Sequence, residues 1–417
     1  MYFNKTFKTD IAKNIIALTS ATVIAQIVNF LFNIFLTRLY TPEEFGSLSI
    51  FLSLISFITV LSTAKFDVAI VASSSNEDAQ KLFSLSFFVL LLITIISSLV
   101  ISIVYLFNLS FYKGTEVHNW LFFLIPSVVM LTGTQICWMW NVRNKNFKKI
   151  AFVRIVEAVF NGSISVLLVS MCAKGLLFGV LFGQLSCFLI LLYIVFSTWN
   201  FSTFVFPFHE LKKTFIRYIQ FPKINVLQGF LEIFQVSSFV ILLANSFNST
   251  IVGLYALGMR VLQVPARLLV LPISHVFFAE ASEIYRNGGS LYRIVKKTIY
   301  KTALVALPLP IILFIAGPIL FSFVFGKNWA EAGEYARIFS FWIFFDLIKA
   351  PVIQVASIVG KQHYILIFSI LTSIIFLISF LGSVALFHNI TATLWIVSIS
   401  QSIMTFFLIL IILKISK

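Results

Sequence analysis

Two arginines, Arg260 and Arg267, stand seven residues apart in a largely apolar stretch, with Gln263 between them. On a helix they share a face, two turns and about 10 Å apart. A guanidinium fork matches a phosphate in two hydrogen bonds at once. An arginine in lipid costs at least about 2.5–3.5 kcal/mol unless water or an anion meets it. The pair therefore suits a diphosphate, or else an ion pair with Glu232, which counting helical rise places at similar depth. Glu232 itself lies on a polar face with Asn225, Gln228, Gln235 and Ser238. A carboxyl held away from water serves a proton or cation relay, or a permanent salt bridge with Arg260 or Lys349. Asp346 and Lys349, three residues apart, neutralise each other or couple an ion. Arg154 and Glu157 form a candidate interfacial pair, with Asn161 and Ser165 continuing their face inward.

A third polar face comprises Thr22, Gln26, Asn29, Asn33 and Thr37, spaced 4-3-4-4, and a fourth Ser49, Ser53, Ser56 and Thr63. Such spacing keeps side chains on one side of a helix. In lipid they either glue helices together or face a water-filled cavity. Lys65 and Asp67 follow at the mouth of that second stretch, as an anchor or as a gate meeting an anionic head group. Other chemistry has little support. Cys137, Cys172 and Cys187 lie singly without CxxC spacing, and the five histidines are scattered, so neither disulfide nor metal site is expected. Gly326-Lys327 and Gly360-Lys361 lack the remainder of a phosphate-binding loop. No cofactor is expected.

The elements that position these groups must be membrane spans. Of the 417 residues 60% are hydrophobic and 11% charged, whereas soluble domains carry about 25% charge. Apolar runs of about 20 residues recur throughout. They predict twelve helices, at 15–37, 45–64, 83–107, 120–140, 152–173, 175–197, 222–244, 251–275, 302–325, 336–359, 364–387 and 391–413. Pro265 and Pro272 interrupt the eighth and let it bend. With the N-terminus inside, 22 of the 30 basic residues fall on the inner side and five outside, which gives cytoplasmic N- and C-termini. The net charge of +15 thus reflects orientation rather than nucleic acid as a partner. Polar segments around 198–221 and 276–301 are expected along the membrane surface.

Two halves look related. Thr22-Gln26-Asn29 and Gln228-Glu232-Gln235 share a 4-then-3 spacing, and Phe45-Gly46-Ser47-Leu48 is matched by Val252-Gly253-Leu254-Tyr255. The expected architecture is an all-α polytopic membrane protein of 12 transmembrane helices in two pseudo-symmetric six-helix lobes around a central cavity. The lobes are residues 1–200 and 222–417, joined by an interfacial linker at 201–221.

Three stretches carry a family resemblance. Arg38-Leu39-Tyr40-Thr41-Pro42-Glu43-Glu44-Phe45-Gly46 resembles the RxxxPxxFG stretch of the Wzx-type polysaccharide flippases. Lys65-Phe66-Asp67-Val68-Ala69-Ile70 is similar to their basic-aromatic-acidic-x-Ala-Ile segment. Phe325-Gly326-Lys327-Asn328-Trp329-Ala330-Glu331-Ala332-Gly333 is similar to their FGxxWxxAG loop. The resemblance implies the multidrug/oligosaccharidyl-lipid/polysaccharide exporter superfamily. It implies ion-coupled flipping of undecaprenyl-diphosphate-linked oligosaccharides across the bacterial inner membrane, for O-antigen (lipopolysaccharide), capsule or another glycan. A proton or sodium gradient, the lipid bilayer, a polysaccharide polymerase and a chain-length regulator are the partners it implies.

On this reading Arg260, Arg267, Gln263, Lys65, Gln26, Asn29, Asn33, Gln228 and Gln235 are the candidate substrate-binding residues. Glu232, Asp346, Lys349 and Glu157 are the candidates for ion coupling. A multidrug or organic-cation exporter is the alternative within the superfamily. An enzyme, a membrane polysaccharide polymerase, fits less well because the outward loops are short, and no enzymatic step is expected.

Overall fold

The computed structural model describes residues 23–107, 116–198, 207–265 and 270–417, and among them every regular element is helical. Among the described residues ten helices are long and apolar enough to cross a membrane, and two shorter apolar ones, Val23–Leu39 and Ser249–Val264, accompany them. Each of the twelve corresponds to one expected span. By packing, the chain divides into two compact units, Met1–Asn245 and Ser246–Lys417.

The first unit holds α1 (Val23–Leu39), α2 (Pro42–Ser62), α3 (Phe66–Ala72) and α4 (Asn76–Leu106). It continues with α5 (Glu116–Arg143), α6 (Phe147–Leu167), α7 (Ala173–Thr198), α8 (Phe208–Arg217) and α9 (Leu227–Ser246). Its helix starts follow from local chemistry. Thr41 and Glu44 form a reciprocal capping box at α2, with Pro42 in the first turn where its missing N–H costs nothing. Ser75 accepts from the Asp78 amide at 3.1 Å, so α4 begins seven residues before the apolar run that predicted it. Phe51, Phe66, Phe83 and Trp120 fill the core, with Phe51 and Trp120 meeting edge to face at 6.0 Å. Gly175, Gly179 and Gly183, four residues apart on α7, let α6 approach closely; a Cβ at 183 would stand 3.0 Å from that of Asn161.

The short helix α8 is tied to the polar end of α4. Arg217 pairs with Asp78 at 3.0 Å, and Lys81 bridges Glu77 at 2.6 Å and Glu210 at 2.9 Å. Arg143 performs a similar task at the end of α5. Its guanidinium donates to the carbonyls of Ile70 (3.0 Å), Ser73 (2.7 Å) and Ser75 (3.1 Å), and to Asn76 Oδ1 at 3.2 Å. These are the orphan acceptors at the end of α3 and the turn into α4. A planar fork reaches all of them together; an ammonium cannot. Arg143→Lys is accordingly expected to lose about 1–2 kcal/mol of stability, read as a lower Tm of the purified protein.

The second unit holds α10 (Ser249–Pro265), α11 (Leu271–Arg286), α12 (Tyr292–Ala306), α13 (Pro308–Phe325) and α14 (Ala330–Val352). It ends with α15 (Val355–Ile358), α16 (Gln362–Phe387) and α17 (Ile390–Ile415). Of the eighth expected span, 251–275, the structure describes α10 as far as Pro265 and α11 from Leu271, with Pro272 in the first turn of α11, while residues 266–269 lie outside the described residues. A proline removes a ladder donor inside a helix but is tolerated in the first turn. The ninth span starts earlier than its apolar run, because the cationic α12 leads almost directly into α13. Trp329 and Tyr335 are fully buried in this unit, Tyr255 packs on Phe339 at 5.4 Å, and Asn389 caps α17 through the amides of Thr391 and Ala392.

Candidate functional site

The backbone turns sharply between α2 and α3, with Ala64 at φ 46° and Lys65 at φ 59°. Two successive non-glycine residues in the left-handed region are unusual. The turn sends the two charged side chains of this segment apart. Asp67 is wholly buried in the first turn of α3, accepting from Thr63 Oγ1 and Gln135 Nε2, both at 2.8 Å. Lys65 is half-buried and runs alongside the first turn of α9: a Cβ at Gly229 would lie 3.0 Å from Lys65 Cε and 3.4 Å from its Nζ. Among the described residues no carboxylate pairs with Lys65 within salt-bridge distance. Its neighbour Asp67 is already satisfied, so the ammonium is left able to meet an anion.

Helix α9 meets α2 through Val60, whose Cγ2 lies 3.2 Å from the Cβ position of Gly229, and through Phe57 and Phe230, whose rings lie 6.1 Å apart. Gln228 and Glu232 are exposed on it, Gln228 Nε2 donating to Glu232 Oε1 at 3.4 Å, and Gln235 is half-buried one turn on. A hydrogen-bonding face with one carboxylate is thus presented along an apolar helix. The face on α1 is less exposed. Gln26, Asn29 and Asn33 are half-buried, and Asn33 Nδ2 donates back to the Asn29 carbonyl at 2.6 Å. Thr22 lies outside the described residues.

The stripe on α2 resolves differently. Ser49, Ser53 and Ser56 each donate to the carbonyl four residues earlier, at 2.8, 2.9 and 2.8 Å. Their donors are spent within the helix, and Ser49 and Ser53 are buried, so they suit helix packing rather than a wet surface. Arg154 Nη1 lies 3.8 Å from Glu157 Oε2, and its guanidinium sits 4.3 Å over the Trp138 ring. That pair is therefore held by a third, aromatic partner.

In the second unit Arg260 and Gln263 are half-buried on α10, and Arg267 lies outside the described residues. Lys349 pairs with Asp346 one turn back on α14. Among the described residues no group of three or more histidines, cysteines or acids could hold a metal ion.

Sequence reading missed Gln135, Gly229 and Arg143, since each acts on a partner about seventy or more residues away. The tyrosine of the first family stretch was missed as well. Tyr40 is buried and donates to the Ser165 carbonyl at 2.6 Å, and burial, aided by Glu44, pushes its phenol up to about 12. It stays a proton donor at any ordinary pH and ties the α1–α2 turn to the end of α6.

A family model described as "Polysaccharide biosynthesis protein" matches residues 35–334. No curated protein sequence matches. Among solved structures the chain is similar to the lipid II flippase MurJ in an inward closed conformation, with TM-score 0.72 and 13% identity over 96% of this chain and 90% of that one. It is similar to the MATE multidrug transporter DinF-BH, with TM-score 0.66 and 18% identity over 96% and 93%. An inward-facing multidrug resistance transporter of the MATE family and MOP superfamily gives 0.63 and 13%, over 94% of each chain. At these identities the likeness is one of fold: the chain is folded like these transporters.

Proposed function

The protein belongs to the polysaccharide biosynthesis protein family, and from that premise we propose that it flips polyprenyl-diphosphate-linked oligosaccharides across the bacterial inner membrane. The observation that carries this reading is the family match, whose residues 35–334 include Lys65, the polar face of α9 and Arg260. Undecaprenyl diphosphate bearing one repeat unit is the proposed substrate, moved from the cytoplasmic to the outer leaflet. The unneutralised Lys65 ammonium supports a diphosphate contact, with Arg260 and Arg267 as further cations. Amides have both donors and acceptors for sugar hydroxyls, which suits Gln26, Asn29, Asn33, Gln228, Gln235 and Gln263 to the glycan.

Alternating access of two lobes, 1–200 and 222–417 about the linker 201–221, is the proposed motion, with both termini cytoplasmic. Glu232, exposed on an apolar helix, is the proposed coupling carboxylate for a proton or sodium ion. Glu157 and the Asp346–Lys349 pair act with it by changing partners. No covalent step is part of this scheme.

Reconstituted vesicles test it. Labelled lipid-linked oligosaccharide placed in one leaflet becomes accessible to a membrane-impermeant glycosidase on the other side only when the protein is present. Glu232→Gln is expected to abolish acceleration by an imposed ion gradient while leaving downhill equilibration in place. A second reading has its own observation: the Glu232 carboxylate shares α9 with Phe230 and Phe234, 6.0 Å apart, and aromatic rings with an acid are what an organic cation needs. Leaflets that stay unmixed while vesicles accumulate a fluorescent cationic dye would replace the flippase with a multidrug exporter.

A further inference from the structure

The 34 residues Tyr292–Phe325 form one apolar span, built of α12 and α13. They contain four cations, Arg293, Lys296, Lys297 and Lys301, and no acid. All four are exposed, while Val295, Thr302, Ala306, Leu313 and Phe321 on the other side are buried. The exposed face is continuous. Leu304, Leu307, Ile311 and Ile315, at steps of three or four residues, are 53%, 43%, 48% and 75% exposed. Stepping back by the same spacing gives Tyr300, Lys297 and Arg293. A face this apolar along α13 meets lipid tails, so its continuation along α12 emerges beside lipid head groups.

Length agrees. At 1.5 Å per residue the span is about 50 Å long, well beyond the roughly 30 Å of hydrocarbon. Its first three turns must therefore lie in the head-group layer or tilt through it. Tyr300, 66% exposed, sits at the junction, where an amphipathic ring is favoured. Among the described residues none of the four cations is in a salt bridge, whereas Lys81 and Arg217 on the other unit's polar end each have an acid within 3.0 Å. Orientation in the membrane explains basic residues at this end. It does not explain their alignment with the lipid-facing stripe, nor their lack of acids.

We propose that the cationic face of α12 binds anionic phospholipid head groups, with the acyl chains lying along the apolar face of α13. Four cations spread over nine residues, about 12 Å of helix, match several head groups in a row rather than one diphosphate. This inference does not depend on what the protein transports.

The triple variant Arg293→Gln/Lys297→Gln/Lys301→Gln tests it in nanodiscs and by native mass spectrometry. Each cation near an anionic surface contributes about fivefold, so phosphatidylglycerol retention should weaken about a hundredfold, with phosphatidylcholine unaffected. Raising the salt should weaken the wild-type interaction in the same way. Arg293→Lys/Lys297→Arg/Lys301→Arg should restore it, which a merely misfolded triple variant would not allow. Equal phosphatidylglycerol retention by wild type and the glutamine variant overturns the proposal. So does selective loss of undecaprenyl diphosphate with phosphatidylglycerol unchanged, which would make the face a substrate contact.

Discussion

Lys65→Gly is expected to leave the protein as stable as the wild type, or more so, while cutting flipping of lipid-linked oligosaccharide about ten- to a hundredfold. The two effects have separate physical origins. Lys65 sits at φ 59°, where its Cβ crowds the backbone and costs roughly 1–2 kcal/mol. Glycine removes that strain and returns about 0.5–1 kcal/mol through the freer unfolded chain, so the net change lies between about zero and a small gain. The loss of function comes from the ammonium. A hydrogen bond to a charged group contributes about 1.5–3 kcal/mol, and Lys65 has no acid partner among the described residues to share it with. Lys65→Asn separates backbone from charge, since asparagine tolerates this conformation but brings no cation; it should be stable and slow. Lys65→Arg should keep most of the activity. Thermal melts beside vesicle transport read both axes, and a Lys65→Gly protein that flips at the wild-type rate would remove Lys65 from the substrate path.

The same residue shows what the sequence could and could not tell. Its charge, and its place after a long apolar run, marked it as a membrane-mouth cation, because apolar periodicity is local and twelve runs of it are unmistakable. The left-handed turn that turns Lys65 away from Asp67 carries no local signal, since neither Ala64 nor Lys65 is a residue that favours it. The partners are remote: Gln135 reaches Asp67 across 68 residues, and Gly229 meets Lys65 across a much longer stretch. Such pairings are set by how helices pack.

Helix starts were legible only where the apolar run coincided with them. Asn76–Lys81 belongs to α4 by virtue of a serine cap, and Tyr292–Lys301 belongs to a span although half of that stretch is polar or charged. The family stretches turn out to be largely scaffold. In the first, Tyr40 anchors and Thr41 with Glu44 caps; in the second, Phe66, Asp67, Ala69 and Ile70 are wholly buried and Val68 is apolar, which leaves Lys65 as its charged side chain open to a ligand. A resemblance carried by turn builders identifies a fold more directly than a substrate, and this is why the amide faces of α1 and α9 needed the structure to be told apart from the self-satisfied serines of α2.

Gly333→Ala should be a highly destructive single-methyl change, costing about 3 kcal/mol or more and leaving little protein to purify. The third family stretch explains why. Gly326 at φ 109° ends α13 in a conformation that favours glycine, Trp329 is wholly buried just beyond it, and α14 then runs back against α13. The crossing is backbone on backbone. A Cβ at Gly333 would collide with the Gly317 carbonyl and stand 2.8 Å from Pro318 Cα, and a Cβ at Gly317 would lie 2.8 Å from the Gly333 carbonyl oxygen. Overpacking usually costs about 1–3 kcal/mol because side chains can shift rotamer. Here the obstacle has no rotamer, and Pro318 fixes its own φ, so relief requires moving one helix away from the other. In lipid that separation is costly, because helices associate there through close van der Waals packing. Gly382→Ala on α16 is the control: nothing lies within 4 Å of its Cβ position, and alanine should be neutral or stabilising by up to about 1 kcal/mol. Yield and melting temperature of the two variants, measured in parallel, decide the matter; a Gly333→Ala protein as stable as Gly382→Ala would mean that α13 and α14 do not meet through these two glycines.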